Sequence, residues 1–345
     1  MITQELIDQF NQQGVVRVPG VLRPGDFVAV RQEFADLLRE RAERWCGRGL
    51  IAPEVLNRFI GDFERDLLML SAVHGFDTEL LAELDICLPH SPFSAITSDA
   101  LFHVGPGLLR LISTPHLLDT IESFIGNEIS VSGNAHIRLK LPAAKATTSH
   151  VGRSAANTAA ETPWHTDGIT MVEESMDTPL ITVWIPLRDV GAENGCLLFL
   201  PGSHHVPDSV PWPVGPELRA ELNRKAVTLP ARFGDVIILH KHVAHASAPN
   251  ISDFPRWSFD LRFFDHTRPG DRPWFPSIPL RSVTHPESVV TSGEEWRTRW
   301  EKTRARLAAA GRPLPGRPVY ARAVAEAYLR RWSDGDYGPV EQGHR

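Results

Sequence analysis

The chain has 345 residues, of which 42% are hydrophobic and 23% charged, and its 36 basic and 42 acidic side chains give a net charge of −6. This composition is typical of a folded globular protein and excludes disordered, collagen-like and low-complexity classes. The mildly acidic balance does not supply the basic surface on which nucleic-acid binding depends, so we expect no nucleic-acid partner.

Cysteine usage and the N-terminus favour a cytoplasmic protein. Cys46, Cys87 and Cys196 lie far apart without a Cys-x-x-Cys pair, which indicates neither a disulfide framework nor a thiolate zinc site. The N-terminus becomes polar at once, and no apolar run approaches the ~18 residues needed to span a bilayer. We therefore expect a soluble cytoplasmic protein with no membrane partner.

Helical signals dominate the first 125 residues. A helix is predicted over Gln4 to Gln13, followed by a short strand from Val15 to Val18. Asp26 is predicted to be the N-cap of a second helix, because apolar residues follow it at helical spacing. The segment from Thr114 to Gly126 has a cap, a first-turn proline, an apolar face and a C-terminal glycine, which together predict a helix.

From residue 129 onward the hydrophobic pattern alternates, as in strands. Short runs separated by turn-forming residues favour an antiparallel barrel or sandwich over a parallel sheet. The predicted strands are 129–141, 181–187, 196–200, 226–229, 236–239 and 256–264.

Two further segments complete the pattern. Residues 143–162 are small, polar and unpatterned, which predicts a mobile loop. Ser292 and Glu295 form a capping box for a helix that carries Trp296 and Trp300 on one side. We interpret the basic residues of this helix as a solvated face, because the chain as a whole is acidic.

Common catalytic signatures are missing from the sequence. It contains no phosphate-binding Gly-x-x-x-x-Gly-Lys loop, no Gly-x-Ser-x-Gly elbow and no His-Glu-x-x-His motif. Cys196 lies in an apolar run, which favours an inert buried thiol over a nucleophile. Nucleotide hydrolysis and serine esterase chemistry are therefore not expected.

A His-x-Asp pair follows the predicted loop, in the sequence Trp164-His165-Thr166-Asp167-Gly168. In an extended strand, residues i and i+2 project to the same face, so His165 and Asp167 can converge on one metal ion. In isolation, a surface turn in which Asp167 caps backbone amides is the better interpretation.

Three histidines, His240, His242 and His245, follow another predicted strand, and any of them could complete a metal site. Two histidines and one carboxylate leave three positions open on six-coordinate iron, a pattern typical of non-haem oxygenases. For His240 and His242 we favour hydrogen-bonded structural roles. A cupin-like site built on His240 and His242 is the alternative.

The strand 256–263 alternates cleanly between polar and apolar residues. Its polar face carries Arg256, Ser258, Asp260 and Arg262, and an arginine that is shielded from solvent there needs an anionic partner. An outward-facing polar side explains the pattern equally well. The strand 134–140 alternates in the same way, and two such strands near a metal favour a polar-lined barrel mouth.

Taken together, these motifs resemble the phytanoyl-CoA dioxygenase family of iron(II)/2-oxoglutarate oxygenases. The matching pieces lie in the family's order from about residue 5 to residue 265: Asp8-Gln9-Phe10 with Gly14 to Val21, Trp164 to Gly168, Thr182 to Leu187, Glu193 to Leu197, Pro201 to His204, Gly234-Asp235-Val236, and His245 to Ser252 with Arg256-Trp257-Ser258.

The resemblance implies a mainly β protein with flanking α-helices, built on a double-stranded β-helix (jelly-roll or cupin-like) barrel. One oxygenase domain would fill residues 1–345, with a helical support (1–128), the barrel core (129–266), a lid loop (143–162) and a helical C-terminal extension (267–345). Deletion of the lid should raise uncoupled turnover.

The resemblance also implies the site. His165, Asp167 and His245 would bind Fe(II), since the family's distal ligand precedes its carboxylate-binding arginine by eleven positions and 256 − 245 = 11. Arg256 and Ser258, with Thr182 and Trp184, would hold 2-oxoglutarate, and O2 would be the other cosubstrate. The side chains expected to line the substrate pocket are His136, Arg138, Lys140 and Arg262.

The expected reaction is hydroxylation of an unactivated C–H bond of a small molecule, with release of succinate and CO2. Family members that halogenate have Ala or Gly at the position of Asp167, so halogenation is not expected. The cationic pocket residues favour an anionic or carboxylate-bearing substrate. The alternatives are desaturation, cyclisation or epimerisation with the same cofactors, or a non-catalytic binding barrel with a vestigial metal site. The sequence does not determine the oligomeric state.

Overall fold

Helices form the N-terminal third of the structure, a computed structural model that describes residues 2–89, 94–142, 162–206, 210–211 and 214–314. The helices and the one strand of this region are α1 (Gln4–Gln13), β1 (Val15–Val18), α2 (Val28–Gly47), α3 (Phe63–Ser71), α4 (Pro106–Ile112) and α5 (Pro115–Ile125). The predicted first helix, first strand and helix before Gly126 are thus confirmed.

The start of α2 differs from the prediction. Asp26 is not its N-cap, because Asp26 lies inside a 3-10 turn over Pro24–Phe27 and α2 begins at Val28. The Asp26 carboxylate accepts a hydrogen bond from the backbone N–H of Arg23 at 2.7 Å. Pro24 fixes the first φ angle of this turn, so the chain tightens before the apolar helical stripe begins.

The rest of the described chain alternates short strands with two helices. These elements are β2 (Ile129–Val131), β3 (His136–Lys140), β4 (Thr162–His165), β5 (Leu180–Pro186), β6 (Leu197–Phe199), α6 (Pro216–Lys225), β7 (Val227–Leu229), β8 (Val236–His240), β9 (His245–Ser247), β10 (Arg256–Asp265), β11 (Ile278–Arg281) and α7 (Gly293–Ala310). The run predicted as one strand from residue 129 to residue 141 is two strands, since Ser132 and Asn134 turn toward the buried carboxylate of Asp271 between them.

Two antiparallel sheets carry these strands. The seven-stranded sheet has the order β1-β8-β5-β10-β2-β11, with β3 also paired to β10, and the four-stranded sheet has the order β4-β9-β6-β7. The predicted antiparallel pairing is confirmed. The prediction of a mainly β chain is not met, because helix accounts for 40% and strand for 20% of the described residues. Within these residues the two sheets do not close into a barrel.

Strand β10 separates the helical layer from the polar interior. Its apolar face packs against the helices: the Phe34 ring lies 5.7 Å from Trp257 and 5.4 Å from Phe259, and the Phe63 ring lies 4.4 Å from Trp257. Because side chains alternate along a strand, the polar residues of β10 project to the opposite face. All four of these polar residues are buried, so the solvent-facing alternative is wrong.

The Glu33 carboxylate of α2 stabilises the first turn of α4. It accepts hydrogen bonds from the backbone N–H groups of Gly107 at 2.6 Å and Leu108 at 3.2 Å, and lies 3.1 Å from His103 Nε2. Hydrogen bonds to a charged group each contribute about 1.5–3 kcal/mol. We expect Glu33→Ala to lower the free energy of unfolding by about 2–4 kcal/mol in a urea titration.

The matched control for this prediction is Glu43→Ala on the same helix. Glu43 forms an exposed pair with Arg39, which is worth about 0.3–0.5 kcal/mol. Equal effects of the two substitutions would show that Glu33 does not anchor α4.

The predicted C-terminal helix is confirmed as α7. The Ser292 side chain accepts a hydrogen bond from the Glu295 N–H, and Trp296, Trp300 and Leu307 are buried. No helix among the described residues is both long enough and apolar enough to cross a membrane.

Candidate metal centre

Three potential metal ligands meet where β4 pairs with β9. His165 ends β4 and lies directly opposite His245, the first residue of β9. Their ring centroids are 4.2 Å apart, and Asp167 Oδ1 lies 3.9 Å from His165 Nε2. One nitrogen or oxygen atom from each of the three residues lies within 4.8 Å of the other two. The structure therefore brings the His165–Asp167 pair together with His245.

Both histidines present the same ring nitrogen to this centre. Nδ1 of His165 lies 2.8 Å from the Pro163 carbonyl, and Nδ1 of His245 lies 3.0 Å from the Val243 carbonyl. A carbonyl only accepts hydrogen bonds, so Nδ1 carries the hydrogen and Nε2 of the neutral ring carries the lone pair. Burial, followed by the neighbouring His245, lowers the pKa of His165 to about 4, which keeps this ring neutral.

The carboxylate of Asp167 is held at both oxygens. Oδ2 accepts a hydrogen bond from Thr182 Oγ1 at 2.5 Å, and Oδ1 accepts one from the Arg262 guanidinium at 2.5 Å. Burial opposes the charged form, but the charge of Arg262 outweighs it and holds the pKa of Asp167 well below its usual range. The three side chains thus offer two imidazole nitrogens and one oriented anion.

Arg256, the first residue of β10, is a buried cation without a carboxylate partner in the described part of the chain. It is 1% exposed and donates to Ser258 Oγ and to the Gly195 carbonyl, both at 3.0 Å. Its guanidinium lies 5.5 Å from the centre of the Trp184 ring. Burial lowers the pKa of Arg256 to about 9, a sign of how poorly this charge is compensated.

Gly195 shapes the turn that supplies one of these acceptors. Its φ angle is +81°, and a Cβ there would lie 2.9 Å from the Ala248 carbonyl oxygen and from Lys140 Cδ. Glycine is therefore required for the turn to bring its carbonyl to Arg256.

One cleft contains His165, His245 and Arg256, and it is also lined by Thr182, the hydrogen-bond partner of Asp167. Among the residues expected at the site, Arg138, Thr182 and Trp184 line it, and Ser258 lies beside Arg256. The full lining is Arg138, Thr162, His165, Thr182, Trp184, Leu197, Leu239, His245, Ala246, Ser247, Arg256 and Asp260. Arg138 is paired there with Asp260 at 3.0 Å.

Three residues expected in the substrate pocket have other contacts. Arg262 binds Asp167, and the Lys140 ammonium donates to the Ala248 carbonyl at 2.9 Å. His136 lies 2.8 Å from the carboxylate of Asp85. None of the three lines the cleft that the described residues form.

The other two histidines of the His240 to His245 segment lie apart from the three ligands. The His240 ring lies 6.1 Å from the Phe10 ring and 5.1 Å from the His204 ring between centroids, and His242 lies next to His240. Within the described residues neither belongs to a metal-ligand group, which disfavours the cupin-like alternative. Cys196 is fully buried, as predicted for an inert thiol.

Sequence reasoning missed the buried group of Asp85, Cys87 and His136, the last of which is the first residue of β3. Asp85 and Cys87 follow a 3-10 turn in irregular chain, where no periodic pattern marks them. The expected lid, residues 143–162, lies outside the described residues except for Thr162, so its role stays a prediction.

Comparisons with known proteins point to one family. The phytanoyl-CoA dioxygenase (PhyH) family model matches residues 95–258. A rat protein, phytanoyl-CoA dioxygenase domain-containing protein 1, is 33% identical over 97 residues, which are 25% of this chain and 33% of the rat protein. Bovine peroxisomal phytanoyl-CoA dioxygenase is 23% identical over 230 residues, which are 63% of this chain and 64% of the bovine protein.

Among solved structures, EctD from S. alaskensis with bound Fe is 19% identical to this chain, with a TM-score of 0.49. The alignment covers 81% of this chain and 86% of the EctD chain. The family match begins before β2 and ends within β10, so it contains all three metal-ligand candidates and Arg256. Residues 95–258 of this chain are therefore similar to the phytanoyl-CoA dioxygenase (PhyH) family.

Proposed function

We propose that this protein is an Fe(II)/2-oxoglutarate-dependent oxygenase that hydroxylates a C–H bond of a small molecule. The observation that carries the proposal is the pairing of two sites in one cleft. Two histidines and one carboxylate lie beside a buried guanidinium that has no carboxylate partner among the described residues.

The donor set fits iron. His165, Asp167 and His245 supply two imidazole nitrogens and one carboxylate, a set that suits Fe(II) and leaves three coordination positions open. The carbonyls bound to both Nδ1 atoms orient the rings, in the way that outer hydrogen bonds orient metal-binding histidines. When bound, the metal supplies O2 activation, and the chain supplies the orientation of its ligands.

The surroundings of Arg256 fit the distal carboxylate of 2-oxoglutarate. A guanidinium binds a carboxylate through two parallel hydrogen bonds, and Ser258 Oγ lies next to it as a further donor. Trp184 packs under the guanidinium and restricts its position. Thr182 donates to Asp167, so we assign it to the orientation of the metal ligand and no longer to the binding of 2-oxoglutarate.

The cleft walls also determine how water is excluded and which substrates are favoured. Leu197 and Leu239 give it apolar walls, which exclude water from the reacting atoms. Arg138, paired with Asp260, lines the same space and favours a substrate with an anionic group. Asp167 occupies the ligand position that halogenating members leave empty, which supports hydroxylation as the reaction.

The fold proposal follows from the same elements. We assign the two antiparallel sheets to an incompletely closed double-stranded β-helix of the jelly-roll type, supported by the N-terminal helices. In this assignment residues 1–345 form one oxygenase domain, and α7 belongs to its C-terminal extension.

The test is an anaerobic titration of metal-free protein, first with Fe(II) and then with 2-oxoglutarate. We expect the weak visible charge-transfer band of a chelated keto acid. His165→Ala should abolish the band, because it removes a metal ligand. Iron binding without any band on addition of 2-oxoglutarate would contradict the proposal and would favour a non-catalytic binding protein.

A further inference from the structure

A second group of metal-binding side chains lies where the chain after a 3-10 turn, Thr78–Leu84, meets β3. Asp85 Oδ2 lies 2.8 Å from His136 Nδ1, Cys87 Sγ lies 3.4 Å from the same nitrogen, and Sγ lies 3.9 Å from Asp85 Oδ2. Zinc bond lengths and a tetrahedral angle place such donor atoms about 3.3–3.6 Å apart. One carboxylate oxygen, one nitrogen and one sulfur therefore converge at nearly the spacing of a metal site.

The remaining polar atoms of the carboxylate and the imidazole are oriented by the surrounding structure. Asp85 Oδ1 accepts hydrogen bonds from the backbone N–H groups of Ile86 at 2.8 Å and Ile137 at 3.0 Å. These bonds turn Oδ2 toward His136 and Cys87. Backbone groups of the N-terminal segment and of β3 thus hold the Asp85 carboxylate in one orientation.

Asn134 fixes the opposite side of the imidazole. Its amide nitrogen donates to Asp271 Oδ2 at 2.8 Å, so its amide oxygen faces His136 Nε2 at 3.1 Å. Because that oxygen only accepts, Nε2 carries a hydrogen and Nδ1 is the nitrogen that faces the carboxylate and the thiol. Histidines that bind metals through one nitrogen usually donate the other N–H to an oxygen in this way.

We propose that Asp85, Cys87 and His136 form a second metal site, which takes a thiophilic divalent cation such as Zn²⁺. On binding, Cys87 loses its thiol proton to solvent and His136 binds through the Nδ1 lone pair while Nε2 keeps its hydrogen. The side chains of Asp85 and His136 are each 11% exposed, which gives the ion a route of entry and a water molecule access to the fourth position.

The nearby charges permit such a complex. Arg138, Arg262 and Arg272 act on His136, and Asp260 and Asp271 oppose these guanidiniums. A divalent cation with one thiolate and one carboxylate has zero net charge, so the complex buries no net charge among these side chains.

This site is chemically distinct from the His165 site, because only it contains sulfur. A metal here would link the N-terminal helical segment to β3, and so would stabilise the fold. The inference does not depend on the proposed oxygenase activity, since it concerns different residues.

The test is a titration of chelator-treated, full-length protein with Co(II) under anaerobic conditions. We expect two equivalents to bind, with a near-ultraviolet thiolate-to-cobalt charge-transfer band for one of them. Cys87→Ser should lose the band and bind one equivalent, and His165→Ala should keep the band and bind one equivalent. Cys46→Ser is the matched control, because Cys46 lies outside the group and its loss should leave the band intact.

A wild-type protein that binds Co(II) without a thiolate band would overturn the proposal, whatever the variants do. The group would then be a hydrogen-bonded histidine–carboxylate pair beside a buried thiol. Thermal unfolding gives a second readout: a chelator should lower the Tm of wild type and of Cys46→Ser, and should have a smaller effect on Cys87→Ser. Equal chelator effects on all three proteins would also contradict the second site.

Discussion

Replacement of Arg256 with alanine is expected to raise the dissociation constant for 2-oxoglutarate by about 30- to 4,000-fold. Arg256 is buried at 1% exposure with no carboxylate partner in the described residues, so a bound carboxylate would be its counter-ion. Removal of one member of a buried, hydrogen-bonded charge pair costs about 2–5 kcal/mol, and each 1.4 kcal/mol is a factor of ten. Anaerobic titration of the Fe(II)-loaded variant measures this constant directly.

Two control variants show whether the effect depends on the shape of the Arg256 side chain and on its position in the cleft. Arg256→Lys keeps the positive charge and loses the planar two-pronged donor, so its dissociation constant should lie between those of wild type and Arg256→Ala. Arg281→Ala removes an arginine that pairs with Asp119 and Glu122 away from the cleft, and it should bind 2-oxoglutarate as wild type does. Unchanged affinity in Arg256→Ala with intact iron binding would place the cosubstrate elsewhere.

The sequence pattern predicted the strand that carries Arg256 better than it predicted the roles of its neighbours. Period-two alternation alone placed Arg256, Ser258, Asp260 and Arg262 on one face, because side-chain direction in a strand is a local property. The function of Arg262 depends on which strand and which loop lie opposite it. That information is long-range, so the sequence assigned Arg262 to the substrate pocket while the structure pairs it with Asp167.

The choice among the three histidines shows the same limit. His240, His242 and His245 lie in one short segment, and chemistry alone left each of them as a possible ligand. The antiparallel register places His245 opposite His165, and among the described residues it is the member of the three that groups with His165 and Asp167. Strand pairing over 80 residues of sequence is not visible in local patterns, and only the family resemblance indicated it in advance.

The Asp85, Cys87 and His136 group was missed for a related reason. Asp85 and His136 are 51 positions apart, and Asp85 lies in chain without helical or strand periodicity. A cysteine two positions from an aspartate has no diagnostic meaning until a third ligand is brought to it. By contrast, the caps and apolar faces of α1, α5 and α7 depend on residues within a few positions, and those helices were predicted correctly.

Replacement of Arg262 with leucine is expected to lower the free energy of unfolding by about 3–5 kcal/mol. The substitution leaves the Asp167 carboxylate buried without its guanidinium partner, and breaking a buried ion pair from one side costs that amount. Arg281→Leu breaks exposed ion pairs and should cost at most about 1 kcal/mol. Urea unfolding of the metal-free proteins measures both values, and equal values would show that Arg262 is not the counter-ion of Asp167.

A double-mutant cycle with Asp167→Asn then isolates the pair. Asparagine removes the uncompensated charge and can still accept a hydrogen bond from Thr182, so Arg262→Leu should cost less in the Asp167→Asn background. A divalent cation bound by His165, Asp167 and His245 would provide a second counter-ion for the same carboxylate. Saturating Co(II) should therefore stabilise Arg262→Leu more than it stabilises wild type. Equal stabilisation of the two proteins would show that the cation does not share Asp167 with Arg262, and would remove that carboxylate from the metal site.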